Sequence, residues 1–251
     1  MRKNILITGA SAGLGMGMAR EFAAKGHNLA LCARRTEQLD ELRDQLVRRH
    51  PGITVVIRRL DVNDHDEVFA AFREFRDRLG ALDRIIVNAG LGKGQPLGTG
   101  YFHANKQTAE TNFVAALAQA EAAMEALREQ RSGHLVLISS ISALRGFPGN
   151  ITTYAATKAG LASLGEGLRA EVLRAKLPGV KVSTVYPGYI RTEMSGGARN
   201  TPLMASLDKG CRALVKAIER EPARAYVPPW PWTPLGALLR VLPLRALVRL
   251  T

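Results

Sequence analysis

Short apolar runs rich in β-branched residues recur along the chain, and between them lie longer stretches in which apolar positions return every three or four residues. The runs are Ile5–Ile7, Leu29–Cys32, Thr54–Ile57, Ile85–Val87, Leu135–Ile138, Val182–Val185 and Ala225–Val227. They are too short for helices and lack polar alternation, so they predict strands buried on both faces. Amphipathic periodicity predicts helices over Gly15–Lys25, Thr36–Arg49, Asp64–Leu79, Thr108–Arg131, Thr153–Ala175 and Leu207–Arg220. Regular alternation of the two calls for parallel strands joined by helical crossovers. The fold class is therefore α/β, a Rossmann-type doubly wound parallel sheet of about seven strands flanked by helices.

No Pro/Ser-rich linker or charge block divides residues 1–229, which read as one domain. The pattern breaks where four prolines crowd Pro228–Pro234, a density incompatible with sheet core. Residues 230–251 read as a basic, apolar C-terminal extension with two tryptophans, several leucines and three spaced arginines. Such a segment suits either an anionic membrane surface or packing against the chain's own lid or a partner subunit.

Composition narrows the classes. Among 251 residues, 46% are hydrophobic and 23% charged, which excludes disordered and fibrous chains. Two cysteines, Cys32 and Cys211, without a CxxC or Cys/His cluster, imply neither a disulfide framework nor a metal site and fit a reducing compartment. The apolar stretch after the charged start is too short for a signal peptide, and no run of about 18 apolar residues exists. A cytoplasmic protein is expected, with peripheral membrane contact through 230–251 left open. The net charge of +13 admits nucleic acid, anionic membrane, or anionic substrates and cofactors. The lack of a long basic run and of any recognition motif argues against specific nucleic-acid binding.

Three local patterns carry chemistry. Gly9, Ser11, Ala12, Gly13, Leu14 and Gly15 follow the first strand and open the first helix, the arrangement that offers helix-terminal N–H groups to a pyrophosphate. The second strand ends in Ala33-Arg34-Arg35, where an NAD site would carry a carboxylate; arginine there pairs with a 2'-phosphate, so NADP(H) is the expected cofactor. Tyr154 and Lys158, four apart on a helix and downstream of Ser140, put a phenol and an ammonium on one face, where the cation would favour the phenolate.

With Asn88-Ala89-Gly90, Ser139-Ser140 and Pro187-Gly188 added in order, the chain resembles the short-chain dehydrogenase/reductase family over roughly residues 3–229. The resemblance implies an enzyme interconverting a carbonyl and an alcohol, with Tyr154 as acid/base, Lys158 lowering its pKa and holding the nicotinamide ribose, and Ser140 holding the substrate oxygen. Asn112 would maintain a water-linked proton path. Asp61 and Val62 would lie beside the adenine, Asn88, Ala89 and Gly90 along the ribose, and Pro187, Gly188, Ile190 and Thr192 around the nicotinamide. The resemblance also implies a homo-oligomer and a lid over about residues 193–207, with no metal.

The gap from Ser140 to Tyr154 is one residue longer than the family's usual spacing, which leaves Ser142 as an alternative to Ser140. Gly92 and Gly94 suggest a loose loop after Asn88-Ala89-Gly90. Leu144, Phe147, Ile151, Tyr189 and Met194 are expected to line an apolar substrate pocket, for a lipid-like, steroid-like or acyl carbonyl. A 3-oxoacyl reductase acting on carrier- or CoA-linked chains, or a non-catalytic NADP-binding regulator, are the alternatives.

Overall fold

The computed structural model describes residues 2–193 and 203–250. Seven strands form one parallel sheet: β1 (Asn4–Thr8), β2 (Asn28–Ala33), β3 (Val55–Arg59), β4 (Arg84–Val87), β5 (Gly133–Ile138), β6 (Val180–Pro187) and β7 (Arg224–Val227), in spatial order 3-2-1-4-5-6-7. Seven helices accompany them: α1 (Gly13–Ala23), α2 (Thr36–Arg49), α3 (His65–Leu79), α4 (Phe102–Ala109), α5 (Ala115–Gln130), α6 (Thr152–Arg174) and α7 (Leu207–Glu219). α8 (Pro229–Val241) and α9 (Leu244–Leu250) follow the last strand.

Strand pleating sorts the core into two layers. Ile5, Ile7, Leu29, Leu31 and Ile86 face Met18 and Phe22 of α1, Leu39 and Leu46 of α2, and Leu214 and Ile218 of α7. Their neighbours Leu6, Ala30, Ile85 and Leu135 face α3, α5 and α6. The sequence expectation of strands buried on both faces holds for the centre and fails at the two edges. β3 and β7 each expose residues, because an edge strand lacks a neighbour on one side.

The order reverses at β1, whose neighbours are β2 and β4, so the crossovers diverge there and leave a crevice beyond the carboxyl ends of both strands. The helix expected over Thr108–Arg131 is two helices joined by a π-helical turn, Glu110–Val114. The loop after β4 is held rather than loose: Asn105 accepts from the Gln95 N–H at 3.0 Å and donates to its carbonyl at 3.0 Å. Gly94 lies so close to Asn150 that an added Cβ would sit 2.3 Å from its carbonyl oxygen.

The C-terminal segment, excluded from the sheet as its prolines require, folds back on its own chain. Trp232 is buried against Gly188, where a Cβ would come within 2.1 Å of the indole, and its ring meets Tyr189 edge-on at 5.1 Å between centroids. Gly236 brings α8 against Leu144 and Ile141, and Leu247 of α9 is buried with Phe147 and Ala155.

Candidate active site

A cavity of about 420 Å³ occupies the crevice at the switch point. One end is the glycine turn. Gly9 has φ +65, and a side chain there would meet the Ala89 backbone at 2.9 Å; one at Gly15 would lie 2.3 Å from the Gly9 carbonyl. Both positions are reserved for glycine by close backbone approach. Thr8 fastens the floor, its hydroxyl accepting from the N–H groups of Asn88 at 3.0 Å and Ala89 at 3.1 Å, while the Asn88 amide donates to the Thr8 carbonyl at 2.9 Å.

The start of α1 is built to receive an anion. α3 and α7 are capped by the Asp64 and Ser206 side chains, but α1 has Ala12 at its cap, no side-chain cap and no acid in its first turn. Its leading N–H groups and positive dipole end therefore lie at the cavity without a side-chain acceptor. A dinucleotide's pyrophosphate fits this cradle in both charge and space.

Ser11, Gly13 and Leu14 line the same end, as do Arg34 and Arg35 at the rim. The Arg35 guanidinium is engaged, donating to Ser11 Oγ at 3.2 Å and to Glu193 at 3.4 Å, whereas Arg34 lies exposed. Ala33 is in register with Arg59, a third exposed arginine that belongs to no motif in the sequence. Asp61 and Val62 line the adjoining wall. Asn63, which caps Asp61 and accepts from Thr111 at 3.2 Å, joins them there together with Thr111.

The other end holds the reactive side chains. Ser140, Tyr154 and Lys158 line the cavity together with Pro187 and Thr192. Ser140 Oγ accepts from both the Ser142 N–H at 3.2 Å and the Ser142 hydroxyl at 2.9 Å. With its lone pairs occupied, the Ser140 hydroxyl has its own hydrogen left to donate. Ser142 is thus the residue that orients Ser140, and it does not line the cavity. Ser139 also borders the cavity, but its hydroxyl is committed to the Lys158 carbonyl at 2.8 Å.

Burial pushes the Tyr154 hydroxyl up from its ordinary value, opposed by the hydrogen bond from Ser140. Burial likewise lowers Lys158 from 10.5 to about 8. The spacing expectation, that the ammonium favours the phenolate, is not met in this state. Lys158 Nζ donates to the Ile138 carbonyl at 2.9 Å and stands 5.7 Å from the centre of the Tyr154 ring, and burial outweighs any charge effect on the tyrosine. Both groups are driven toward their neutral forms.

Asn112 is fully buried in the π-helical turn, and its amide is committed to Leu91, accepting from its N–H at 2.8 Å and donating to its carbonyl at 2.7 Å. It lies beside Gly90, where a Cβ would be 3.0 Å from Asn112 Oδ1 and 3.5 Å from Lys158 Nζ. Gly15, Gly188 and Ile190 support the cavity from behind: Gly188 under Trp232, Ile190 against Gly210.

The expected substrate pocket is arranged differently. Leu144 and Phe147 turn away from the cavity and bury themselves against α8 and α9. Ile151 and Tyr189 are exposed and do not line the cavity, and Met194 lies outside the described residues, as does most of the expected lid.

Residues 3–202 match the short chain dehydrogenase family. An uncharacterized oxidoreductase of Mycobacterium tuberculosis (strain ATCC 25618 / H37Rv) is 55% identical over 244 residues, covering 97% of this chain and 95% of its own. An uncharacterized oxidoreductase of Myxococcus xanthus is 31% identical, covering 96% and 93%. Among solved structures, a short chain dehydrogenase/reductase from Burkholderia phymatum in complex with NAD superposes with a TM-score of 0.83 at 21% identity, covering 95% and 92%. An alcohol dehydrogenase from Thermococcus sibiricus complexed with 5-hydroxy-NADP gives 0.79 at 24%, covering 89% and 94%. At these identities the two structures speak to the fold.

Proposed function

The chain belongs to the short-chain dehydrogenase/reductase family, an oxidoreductase acting between alcohol and carbonyl with a nicotinamide cofactor, and on that footing we propose that it is an NADP(H)-dependent carbonyl reductase for an apolar substrate. The observation that carries this reading is the conjunction at one cavity wall of a protonated Tyr154 hydroxyl, a Ser140 hydroxyl hydrogen-bonded to it, and a buried Lys158.

When bound, the nicotinamide supplies or accepts the hydride. The rest falls to this chain's residues. Tyr154 is held in its protonated form by burial, the form that gives a proton to a carbonyl oxygen during reduction. Ser140 donates to the same oxygen as negative charge builds on it. Lys158, at about 8, can hand Tyr154 a proton to replace the one given to the substrate oxygen. Because the Asn112 side chain is committed to Leu91, its part in proton supply falls to the backbone of the π-helical turn, a distortion that recurs at functional sites.

The NADP preference is supported by Arg34 at the rim and by the absence of a carboxylate at the end of β2. The apolar substrate is supported by the exposed apolar side chains of Tyr189, Ile151 and Leu203, which the sequence motifs place around the substrate. Exposed Tyr101, Phe102, Val114 and Leu117 on and beside α4 and α5 support a homo-oligomer. Residues 1–229 would form the catalytic domain, with 230–251 as its extension.

The test is Tyr154→Phe, assayed by NADPH oxidation across apolar and polar ketones and aldehydes. Turnover should fall by roughly 10²–10⁴-fold while cofactor binding is retained. Undiminished turnover would falsify the acid/base assignment, and reactivity confined to polar carbonyls would overturn the substrate class.

A further inference from the structure

α8 is apolar on two opposite faces. At helical spacing, Trp232, Leu235, Gly236 and Leu239 form the stripe that packs on the chain's own loops. On the other side Pro234, Ala237, Leu238 and Val241 form a second stripe, and it is exposed, with Val241 77% accessible. A soluble surface helix carries one apolar stripe; the second calls for a partner. Trp230, 78% accessible, stands at its start, and α9 extends it with exposed Leu244 and Val248.

The charges carried by these two helices share one sign. Arg240, Arg245 and Arg249 are exposed, and the sequence contains no acidic residue after Glu221. Among the described residues no helix is long and apolar enough to cross a membrane, so a lipid contact would be made lying flat. A second copy is disfavoured, since a two-fold contact would bring six arginines together with no acid to offset them. Apolar depth ringed by cations is what an anionic bilayer surface recognises.

We propose that the outer face of α8 and α9 docks on an anionic lipid surface, with Trp230, Leu238, Val241, Leu244 and Val248 entering the headgroup region and the three arginines pairing with lipid phosphates. The inner faces of the same helices pack through Trp232 on Gly188, next to cavity-lining Pro187, and through Leu247 on Ala155, next to cavity-lining Tyr154, so docking would hold the catalytic cleft near the bilayer from which an apolar carbonyl would come.

The test uses the full chain in co-sedimentation with vesicles of phosphatidylcholine alone or mixed with phosphatidylglycerol. Binding should require the anionic lipid and weaken with salt. The triple variant R240Q/R245Q/R249Q should lose roughly a hundredfold in partitioning, as each cation at such a surface contributes about fivefold. A second variant, W230S/V241S, should also release the protein, and both should keep turnover of a water-soluble ketone, which certifies the fold. Equal binding to neutral vesicles, or unchanged binding by both variants, overturns the proposal. So does a drop in oligomeric state in the variants without vesicle binding by the parent, which would make the face a contact between copies.

Discussion

Lys158 gives the sharpest measurable consequence of the site's burial. A fall from its ordinary 10.5 to about 8 corresponds to ~3 kcal/mol of differential cost for the charged form, at ~1.4 kcal/mol per decade. Since Lys158 is only 5% exposed, solvent screening does little to reduce it. The sign follows from proton counting. Between about 8 and 10.5 the unfolded chain holds a proton that the folded chain has released, so stability rises with pH. It is greatest above 10.5 and lost as pH falls through about 8. Integrated from about pH 7 to about pH 9.5, the gain is about 2 kcal/mol. Tyr154 contributes nothing opposing in this range: its raised pKa costs stability only above its ordinary value of 10. Urea denaturation of the cofactor-free protein at the two pH values, beside Lys158→Met, isolates the effect. The parent should gain about 2 kcal/mol more than the variant on going to the higher pH, and the variant should be inactive. Parallel pH profiles for the two proteins would refute the account of a desolvated ammonium.

Three further outcomes are expected. Gly15→Ala places a Cβ 2.3 Å from the Gly9 carbonyl and should lose nucleotide binding by titration calorimetry, with a stability cost of about 1–3 kcal/mol. Arg34→Asp should weaken NADPH binding about 10- to 100-fold, the worth of a charged hydrogen bond, while NADH binding is retained or improved; equal losses for both nucleotides would show that Arg34 does not read the 2'-phosphate. Trp232→Ala should cost about 3 kcal/mol, roughly 6–12 °C in melting temperature. Trp232→Phe should cost less, because the indole N–H it removes is buried without a partner among the described residues.

Much of this was legible in the chain because the relevant forces act locally. The core strands announce themselves by runs such as Ile5–Ile7 and Leu135–Ile138, and the glycine turn, Ser140, Tyr154 and Lys158 lie in short motifs whose spacing fixes which face they share. What depends on distant partners was not. Leu144 and Phe147 read as pocket-lining because apolarity does not tell which surface a side chain buries, and Leu247 lies 100 residues beyond Phe147 in the chain. Spacing brought Lys158 near Tyr154 but said nothing of desolvation, which decides both groups' protonation. The π-helical turn at Asn112 left no periodic trace, since one extra residue in a turn is invisible against a helix of alanines. By spacing alone Ser142 rivals Ser140, whereas its hydroxyl and N–H serve Ser140.

The contact of Trp232 with Gly188 also has a meaning in time. During synthesis the strands and turn that make the nucleotide crevice emerge first, and Gly188 precedes its indole cover by 44 residues. At ~5–20 residues per second the ribosome takes roughly 2–9 s to supply it. For that interval Gly188 of the nascent chain is without its indole cover, while every residue of the glycine turn has already been made. A nucleotide captured then would stabilise the early fold before the late helices commit, which orders the assembly of the enzyme as cofactor half first and substrate half second.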